Sequence, residues 1–564
     1  MTATAVAPPR ATATPPAPPA RVRRLRSPFV ACLVLLVAYV GLSFANNPHA
    51  FLGTDTGGKV ATLRAMDARG DLNPDLGYWA QALDRDGVLH PITLTRHLGG
   101  QWVNVTTLPM IYAAYPLYEL GGVRAILLLP MLGGVLTALG ARALARRLGG
   151  RGDLAFWAVG LATPVVVYSL DFWEHTLGLA AMVWGVVLLF DFADRRAGWR
   201  GALAGGALFG VAATMRTEAL VYAVVTVGVV AWSARRRPRL ELLRAGVAVV
   251  GGLAVPLVAN QGLEQLVLGT ALRAGRASGA ASDAGAGLGG RLEDALRTAV
   301  GLNDYRGAQD WLFGALIVVA LGLAFLRLLD DDVRRRRLGW WALGVAGLLY
   351  VLRFKDGLGF LPGLLVASPL AVVGIVASGR RPSFRRPVTI AAVALPLVWA
   401  FQYGGGANPQ WGGRYLLLSG LLLAVVAAVA LESAPWRSVA AVVVVAGTIT
   451  GAGLAWLAVR SHAFARAVSV AAAEPGPVVT TDLPHFWREG GGFYTPARRW
   501  LTAETIAQLP AAVDVVRRLN APSFTLVSRT PGEAPSRLGP YTRRSRRVLP
   551  VVSGIDVAVS RYHR

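Results

Sequence analysis

The first carboxylate whose setting suits chemistry is Asp55, in the segment FLGTDTGGK. It follows the first apolar stretch by about ten residues, and the glycines beside it allow a backbone or a ligand to approach closely. A carboxylate held there could remove a proton from an acceptor hydroxyl. Asp is also a favoured N-cap residue, so the alternative is that Asp55 only caps the following helix, KVATLRAM.

A second acidic group stands between two apolar stretches, in the sequence DFWEHT. Asp171, Glu174 and His175 could bind acceptor hydroxyls or, together with Asp55, a divalent cation such as Mg²⁺ or Mn²⁺. The spacing does not specify a metal, so metal use stays open. The neighbouring aromatic side chains, Phe172 and Trp173, are expected to be ordinary interfacial anchors. The alternative for the charged residues is a solvated turn with a helix N-cap.

Charged residues also occur in very short connections near the predicted membrane boundary. Arg216 and Glu218 lie in the turn MRTE. An arginine near the bilayer needs a partner or a polar cavity, so we expect these two side chains to pair. Lys59 and Lys355 are the only lysines of the chain, and Lys59 is a further candidate for a polar cavity.

Two cationic residues stand at predicted outward-facing helix ends, each beside glycines. They are Lys355 in RFKDGLGF and Arg414 in NPQWGGRY. Lys or Arg at such a boundary could hold a lipid phosphate by charge-assisted hydrogen bonds. The alternative for either residue alone is snorkelling to ordinary lipid headgroups. Their joint occurrence favours a phosphate site.

The composition indicates a membrane protein. Of 564 residues, 54% are hydrophobic and 16% are charged, where a soluble chain carries about 25% charged residues. The net charge of +25 comes from arginines in short clusters between apolar stretches of membrane-spanning length, a topology signal rather than a nucleic-acid surface. The single cysteine, Cys32, excludes a disulfide framework and a cysteine-based zinc site.

Arginine clusters orient the apolar stretches, because short basic loops remain on the cytoplasmic side. Residues 1–27 form a predicted disordered basic cytoplasmic tail before a signal anchor. The later basic connections are 142–151, 194–200, 234–244, 330–337, 379–386 and, weakly, the region of Arg437. The connections between them are 46–123, 171–176, 215–218, 269–310, 353–357 and 404–414. This alternation predicts an all-α polytopic membrane protein with about 13 transmembrane helices, a cytoplasmic N-terminus and an extracytoplasmic C-terminus.

Two segments depart from the pattern of spans. Residues 103–120 are apolar, but a span there would put every later basic loop on the wrong side, so we expect a juxtamembrane or re-entrant helix in the first external loop. From about residue 460, the β-like runs PVVTTDL, SFTLVSR and GIDVAVSRY flank an amphipathic stretch. The predicted organisation is a transmembrane domain, 28–459, followed by a small extracytoplasmic α/β domain, 460–564.

These features, in this order, resemble the C-type (GT-C) polytopic membrane glycosyltransferases, which include protein O-mannosyltransferases, aminoarabinose transferases and actinobacterial arabinosyl- and mannosyltransferases. The resemblance covers nearly the whole chain. It comprises one span, a long external loop opening with Asp55, the helix TLPMIYAAYPLYELGG, the acidic turn SLDFWEHTL, the turn MRTE, QWGGRYLL late in the membrane part and a terminal external domain.

The resemblance implies a GT-C-like transmembrane domain, a polyprenyl-phosphate-linked sugar as donor and inversion at the sugar carbon. It also implies that Asp55 is the general base for the acceptor. The expected acceptor is an envelope glycan, glycolipid or protein outside the plasma membrane. Membrane lipids are the other expected partners, and nucleic acid is not one.

Three other functions compete with this one. A polytopic transporter or flippase for lipid-linked saccharides would place charged or broken segments near the bilayer midplane, whereas here the acidic residues collect at outward-facing ends. A lipid-linked oligosaccharide ligase or polymerase would share the external site but transfer a preassembled glycan. A non-catalytic envelope assembly protein would keep a degenerate site.

Overall fold

The computed structural model describes residues 28–50, 54–272, 288–301, 308–330, 332–354, 361–401, 411–530, 534–552 and 555–564. A helical part comes first, and a domain built on a β-sheet follows it. This order confirms a mostly helical part followed by a C-terminal domain with a β-sheet. The β-hairpin at 95–104 departs from the all-α prediction for the first part.

The helical part contains eighteen described α-helices and one β-hairpin. The helices are α1 (Pro28–Ser43), α2 (Thr54–Arg69), α3 (Leu108–Ile126), α4 (Leu128–Arg147), α5 (Asp153–Leu161), α6 (Val165–Ser169), α7 (His175–Ala193), α8 (Trp199–Met215), α9 (Glu218–Ser233), α10 (Arg239–Leu268), α11 (Leu288–Val300), α12 (Ala308–Leu328), α13 (Val333–Phe354), α14 (Leu364–Ala367), α15 (Pro369–Ala377), α16 (Arg385–Phe401), α17 (Leu417–Leu431) and α18 (Trp436–Ala472). The hairpin pairs β1 (Thr95–Leu98) with β2 (Gln101–Asn104).

Six of the described helices are long and apolar enough to cross a membrane, and two shorter apolar helices, α1 and α9, add to them. The six are Leu128–Arg147, His175–Ala193, Arg239–Leu268, Asp310–Leu328, Arg414–Leu431 and Trp436–Ala472. The predicted count of about thirteen spans is therefore not confirmed by helix length. Prolines explain part of the difference, because Pro164 and Pro369 lack the N–H that a continuous helix needs and divide apolar stretches into α5 with α6 and α14 with α15.

Helices α10 and α17 show how the helical part meets its surroundings. Every residue of α17 is buried, so this helix lies at the centre of the bundle. Helix α10, by contrast, exposes Val255, Val258 and Leu266 by 68%, 69% and 86%. Such a continuous aliphatic surface is unfavourable in water and suits contact with lipid tails. The helices therefore support a multi-pass membrane location.

Connections that the arginine clusters assign to one side contact one another. Arg147, at the end of α4, pairs with Asp191 near the end of α7 (Nε to Oδ1, 2.6 Å). Arg386 pairs with Asp194 in the next connection (Nη1 to Oδ1, 2.6 Å). These pairs stabilise one end of the bundle, and residues of the opposite set of connections meet at the site described below.

The segment 103–120, predicted to be a single apolar helix, divides between two elements. Its first residues complete β2, and α3 begins at Leu108. Helix α3 is kinked where Gly121 and Gly122 leave the helical conformation. Gly122 has a φ of 61°, which favours glycine.

The C-terminal domain holds a six-stranded mixed sheet in the order β4-β3-β5-β8-β7-β6. Strand β3 is parallel to β4 and β5, and the remaining pairs are antiparallel. The strands are β3 (Val478–Thr481), β4 (Trp500–Ala503), β5 (Ser523–Thr530), β6 (Arg537–Leu538), β7 (Tyr541–Val552) and β8 (Ile555–His563), and the helices are α19 (Phe486–Glu489) and α20 (Leu509–Arg518).

Helix α18 connects the two parts without a break. The predicted boundary at about residue 460 falls inside this helix, which continues to Ala472. Its last turns supply Phe464 and Val468 to a core shared with Val478 on one face of the sheet. The other face packs on α20, because neighbouring strand residues point to opposite faces.

Candidate active site

Helix α2 brings two of the sequence-predicted residues to one place. Asp55 and Lys59 are separated by one helical turn, so they lie on the same face. Between them, a Cβ on Gly57 would overlap the carbonyl oxygen of Arg488 in the C-terminal domain, and one on Gly58 would overlap the side chain of Asn104. The glycines therefore let the first turns of α2 lie directly against β2 and α19.

Asp55 contacts an arginine that the sequence analysis did not single out. Arg488 Nη2 donates to Asp55 Oδ1 at 2.9 Å and also approaches Asn104 Oδ1 at 3.4 Å. The Arg488 side chain is 1% exposed, whereas that of Asp55 is 35% exposed. Asp55 also lies in the first turn of α2, where a carboxylate interacts favourably with the helix dipole, so the structural alternative keeps a physical basis.

Four charged residues form a buried ion-pair network: Lys59, Glu174, Arg216 and Glu218. Lys59 Nζ pairs with Glu174 Oε2, and Arg216 Nη1 lies 3.5 Å from Glu174 Oε1. Arg216 Nε donates to Glu218 Oε1 at 2.8 Å, so the expected pairing of these two residues is present. Buried charges need such partners, and the network offsets much of the cost of removing four charges from water.

The segment DFWEHT is not a solvated turn. Every residue from 171 to 176 is buried, because α2 and the connection before α9 cover it. Asp171 accepts from the backbone N–H of Phe172 at 3.0 Å and faces the hydroxyl of Thr56 at 3.5 Å. Phe172 and Trp173 are both 0% exposed, so the interpretation of these aromatics as interfacial anchors is wrong.

His175 is part of a buried aromatic stack with Tyr168 and Trp173. The ring centroids of His175 and Trp173 are 4.3 Å apart, and those of His175 and Tyr168 are 5.1 Å apart. His175 is 2% exposed, and its two nitrogens have no hydrogen-bond partner in the part of the chain that the structure describes. The structure therefore places His175 beneath the site, where an acceptor cannot reach it directly.

Arg414 joins the site from a short 3₁₀ turn, Arg414–Leu416, that precedes α17. Its guanidinium lies 4.6 Å from the ring centre of Tyr415 and 5.9 Å from that of Trp173. Arg216 lies over the same Tyr415 ring at 5.0 Å. Arg216 and Arg414, which are 198 residues apart in the sequence, thus contact the same aromatic ring. Lys355, the other predicted phosphate ligand, lies outside the described residues.

His485 of the C-terminal domain lies beside Arg488 and is uncharged at neutral pH. His485 Nδ1 is 3.0 Å from the hydroxyl of Thr93 in the first loop. Burial, with a further contribution from the neighbouring Arg488, lowers the pKa of His485 below its ordinary value of 6.5. The imidazole is therefore neutral at neutral pH, and Arg488 is the cation that faces Asp55 from α19.

The described residues do not fit the divalent cation that the sequence suggested. No three His, Cys, Asp or Glu side chains among them are grouped closely enough to hold a metal ion. Glu174 is surrounded by Lys59 and Arg216, whose positive charges would repel a cation. No step proposed below uses a metal.

Sequence reasoning missed three residues of the site: Asn104, Tyr415 and Arg488. Tyr415 directly follows Arg414, and its aromatic ring beside a cation was the only local signal. Nothing local distinguishes Arg488 from the many other arginines of the chain. Its role depends on a contact with a residue 433 positions away.

Solved structures similar to this one include an oligosaccharyltransferase and ArnT. The oligosaccharyltransferase AglB from Archaeoglobus fulgidus, in complex with an inhibitory peptide and a dolichol-phosphate, is 12% identical, with a TM-score of 0.47 over 88% of this chain and 69% of that chain. ArnT from Cupriavidus metallidurans, bound to undecaprenyl phosphate, is 16% identical, with a TM-score of 0.39 over 93% of this chain and 97% of that chain.

No family model and no curated protein sequence matches the chain. With TM-scores below 0.5, these structures assign no role to individual residues of this chain. The roles proposed for them are argued from the contacts within this chain.

Proposed function

We propose that the protein is a glycosyltransferase that moves a hexosyl or pentosyl group from a polyprenyl-phosphate donor to a hydroxyl of an extracytoplasmic envelope acceptor, with inversion at the sugar carbon. Asp55 is the general base. Arg414, with Lys355, binds the donor phosphate. The acceptor is a glycan, a glycolipid or a protein of the cell envelope.

One arrangement carries the proposal: Asp55 and Lys59, a member of the buried ion-pair network, share one face of α2. A carboxylate that is partly open to solvent therefore stands one helical turn from Lys59, whose partner Glu174 also faces Arg216. Transfer from a phosphate-linked sugar needs a base on the acceptor side and positive charge on the leaving-group side. The site supplies both without a nucleophilic serine or cysteine.

The reaction balances with these groups alone. The acceptor oxygen attacks the anomeric carbon while its proton passes to the Asp55 carboxylate. The bond between that carbon and the phosphate oxygen breaks, and the electron pair leaves with the polyprenyl phosphate. Attack from the face opposite the leaving group gives inversion. Asp55 then returns the proton to water.

The aromatic ring of Tyr415 helps to assemble the phosphate side. The ring contacts both cations, because the guanidinium groups of Arg216 and Arg414 lie 5.0 Å and 4.6 Å from its centre. Arg216 Nη2 is buried and donates no hydrogen bond to any residue that the structure describes. A phosphate oxygen near that atom would satisfy it, which favours an anion at this position.

The membrane surroundings suit a lipid-linked donor. The aliphatic surface of α10 would face lipid, and the polyprenyl chain would remain in the same bilayer while its phosphate reaches the site. Glycosyl transfer rather than lipid translocation is the proposed activity, because the charged residues of the site, Asp55, Lys59, Glu174, Arg216 and Arg414, come from connections and helix ends rather than from the middle of spans.

The test is direct transfer by the purified full-length protein in nanodiscs, with polyprenyl-phosphate-linked sugars and an acceptor extract from the envelope of a deletion strain. We expect a sugar–acceptor product and release of polyprenyl phosphate in equal amounts. Movement of the donor across the bilayer without a product would support the flippase instead. Transfer of a preassembled glycan only would support the ligase.

A further inference from the structure

We propose that Arg488 is a positioning residue for Asp55, so that the C-terminal domain completes the active site rather than only covering it. This proposal rests on the proposed function, in which Asp55 is the base. It assigns a role in the reaction to a residue of the sheet domain, which lies beyond the membrane-embedded part.

The guanidinium of Arg488 is held from two sides. Its Nη2 lies 2.9 Å from Asp55 Oδ1 and 3.4 Å from Asn104 Oδ1. Asn104 is itself fixed, because its Nδ2 donates to Thr93 O at 3.0 Å and to Thr95 Oγ1 at 3.1 Å. With both amide hydrogens engaged, the Asn104 oxygen points to Arg488, and Arg488 in turn fixes the direction of the Asp55 carboxylate.

The backbones around this contact approach too closely for side chains. A Cβ on Gly57 would overlap the Arg488 carbonyl, and a Cβ on Gly491 would overlap the Gly57 carbonyl. Glycine at both positions lets α2 and the segment after α19 meet backbone to backbone. The interface therefore fixes the distance between Arg488 and Asp55 to within the reach of a hydrogen bond.

The exposure of the two partners separates positioning from a purely structural ion pair. Arg488 is almost completely buried, whereas a third of the Asp55 side chain is exposed. A buried guanidinium needs an anionic partner, but a partner with no role in chemistry need not face the solvent. Here the arginine is enclosed, and the carboxylate that it holds is open to an approaching hydroxyl.

The chain offers a matched control on the same helix turn. Glu489 follows Arg488 and makes its own ion pair with Arg460 of α18 (Oε2 to Nη2, 2.7 Å), a contact that also joins the sheet domain to the helical part. Glu489→Gln removes a charge and an interdomain ion pair without touching the Asp55 carboxylate. It reports the cost of weakening the interface alone.

The experiment compares Arg488→Gln, Arg488→Lys and Glu489→Gln as full-length proteins in nanodiscs, with kcat, donor KM and acceptor KM measured beside thermal unfolding. We expect Arg488→Gln to lower kcat on the order of 10²-fold with a nearly unchanged donor KM, because a misdirected base reacts less often. Arg488→Lys should recover part of the rate. Glu489→Gln should keep wild-type kcat even if its melting temperature falls.

Two results would overturn the proposal: wild-type kcat in folded Arg488→Gln, or an equal loss of kcat in Glu489→Gln. If Arg488→Gln does not fold, Asn104→Ala removes the second anchor of the guanidinium and should lower kcat by a smaller factor; an unchanged kcat in that variant also contradicts positioning. A different result would contradict the proposed function itself: full activity in the Asp55→Asn variant.

Discussion

Lys59 and Glu174, 115 residues apart in the sequence, form an ion pair whose side chains are only 1% and 5% exposed. The pair joins α2, which carries Asp55, to the segment that precedes α7. It therefore fixes α2 to the helical bundle.

Removing one member of this pair should destabilise the protein strongly. Lys59→Met leaves the Glu174 carboxylate buried without its nearest cation, so we expect the free energy of unfolding to fall by about 3 kcal/mol. Lys59→Met combined with Glu174→Gln should be less unstable than the sum of the single changes, with a coupling above about 1 kcal/mol. Unfolding of the four proteins in detergent micelles measures this, and strict additivity would show that the two groups do not interact.

Asp55→Asn should lower kcat by about 10²- to 10⁴-fold while the fold is retained, because a positioned base contributes that factor. A role confined to the first turn of α2 predicts near-normal activity, because Asn caps helices about as well as Asp and loses only the interaction of the charge with the helix dipole. Circular dichroism and thermal unfolding confirm the fold beside the kinetic assay. Glu174→Gln is a comparison for acceptor KM only if it folds, since it removes a partner from Lys59 and Arg216.

Arg414→Gln should raise the donor KM about tenfold or more and change the acceptor KM little, because a charged hydrogen bond to the phosphate is lost. Lys355→Ala should act in the same direction. Arg235→Gln is the control, since Arg235 lies 4.6 Å from the Trp232 ring centre, the same distance as Arg414 from Tyr415, but in a connection assigned to the other side. Unchanged donor kinetics in both the Arg414 and Lys355 variants would remove these residues from the phosphate site.

The loop that contains His90 should lose stability as pH falls below about 6.5, the ordinary pKa of histidine. Burial lowers the pKa of His90 from 6.5 to about 4, against the opposing effects of backbone hydrogen bonds and of Asp75 and Asp84. Between pH 6.5 and pH 4 the unfolded chain binds a proton that the folded chain excludes, so the free energy of unfolding falls as the pH falls. The total loss is up to about 3 kcal/mol, and the free energy of unfolding levels off below pH 4.

The pH dependence of the melting temperature between pH 4 and 7 tests this. His90→Gln should flatten the curve. A slope that is unchanged in this variant would assign the effect to other groups, of which His485 is the first candidate because burial lowers its pKa as well.

The C-terminal domain should be accessible only from outside the cytoplasm. Ser536→Cys, in a variant in which Cys32 is replaced by Ser, should react with a membrane-impermeant maleimide in intact cells, because Ser536 is exposed. Ser528 is buried in β5 and is unsuitable as a labelling site. If Ser536→Cys reacts only after the membrane is permeabilised, the C-terminal domain lies in the cytoplasm. That result would contradict the predicted topology and the proposed function.

The sequence alone determined the class of the protein and much of its order along the chain. Composition indicated the membrane, and period-two runs predicted β3, β5 and β8 of the sheet. Strand β7 was missed because its arginine-rich sequence, YTRRSRRV, looks polar on both faces. The pairing of Arg216 with Glu218 could be expected, because the two residues lie in one short turn.

Only the tertiary structure decided which of the charged residues belong together. It pairs Lys59 with Glu174, places Arg488 against Asp55 and encloses His175 in an aromatic stack. The physical reason is that hydrophobic periodicity and residue preference act over a few neighbouring positions. The partners of a buried charge, by contrast, are set by which helices and strands pack against each other across hundreds of residues.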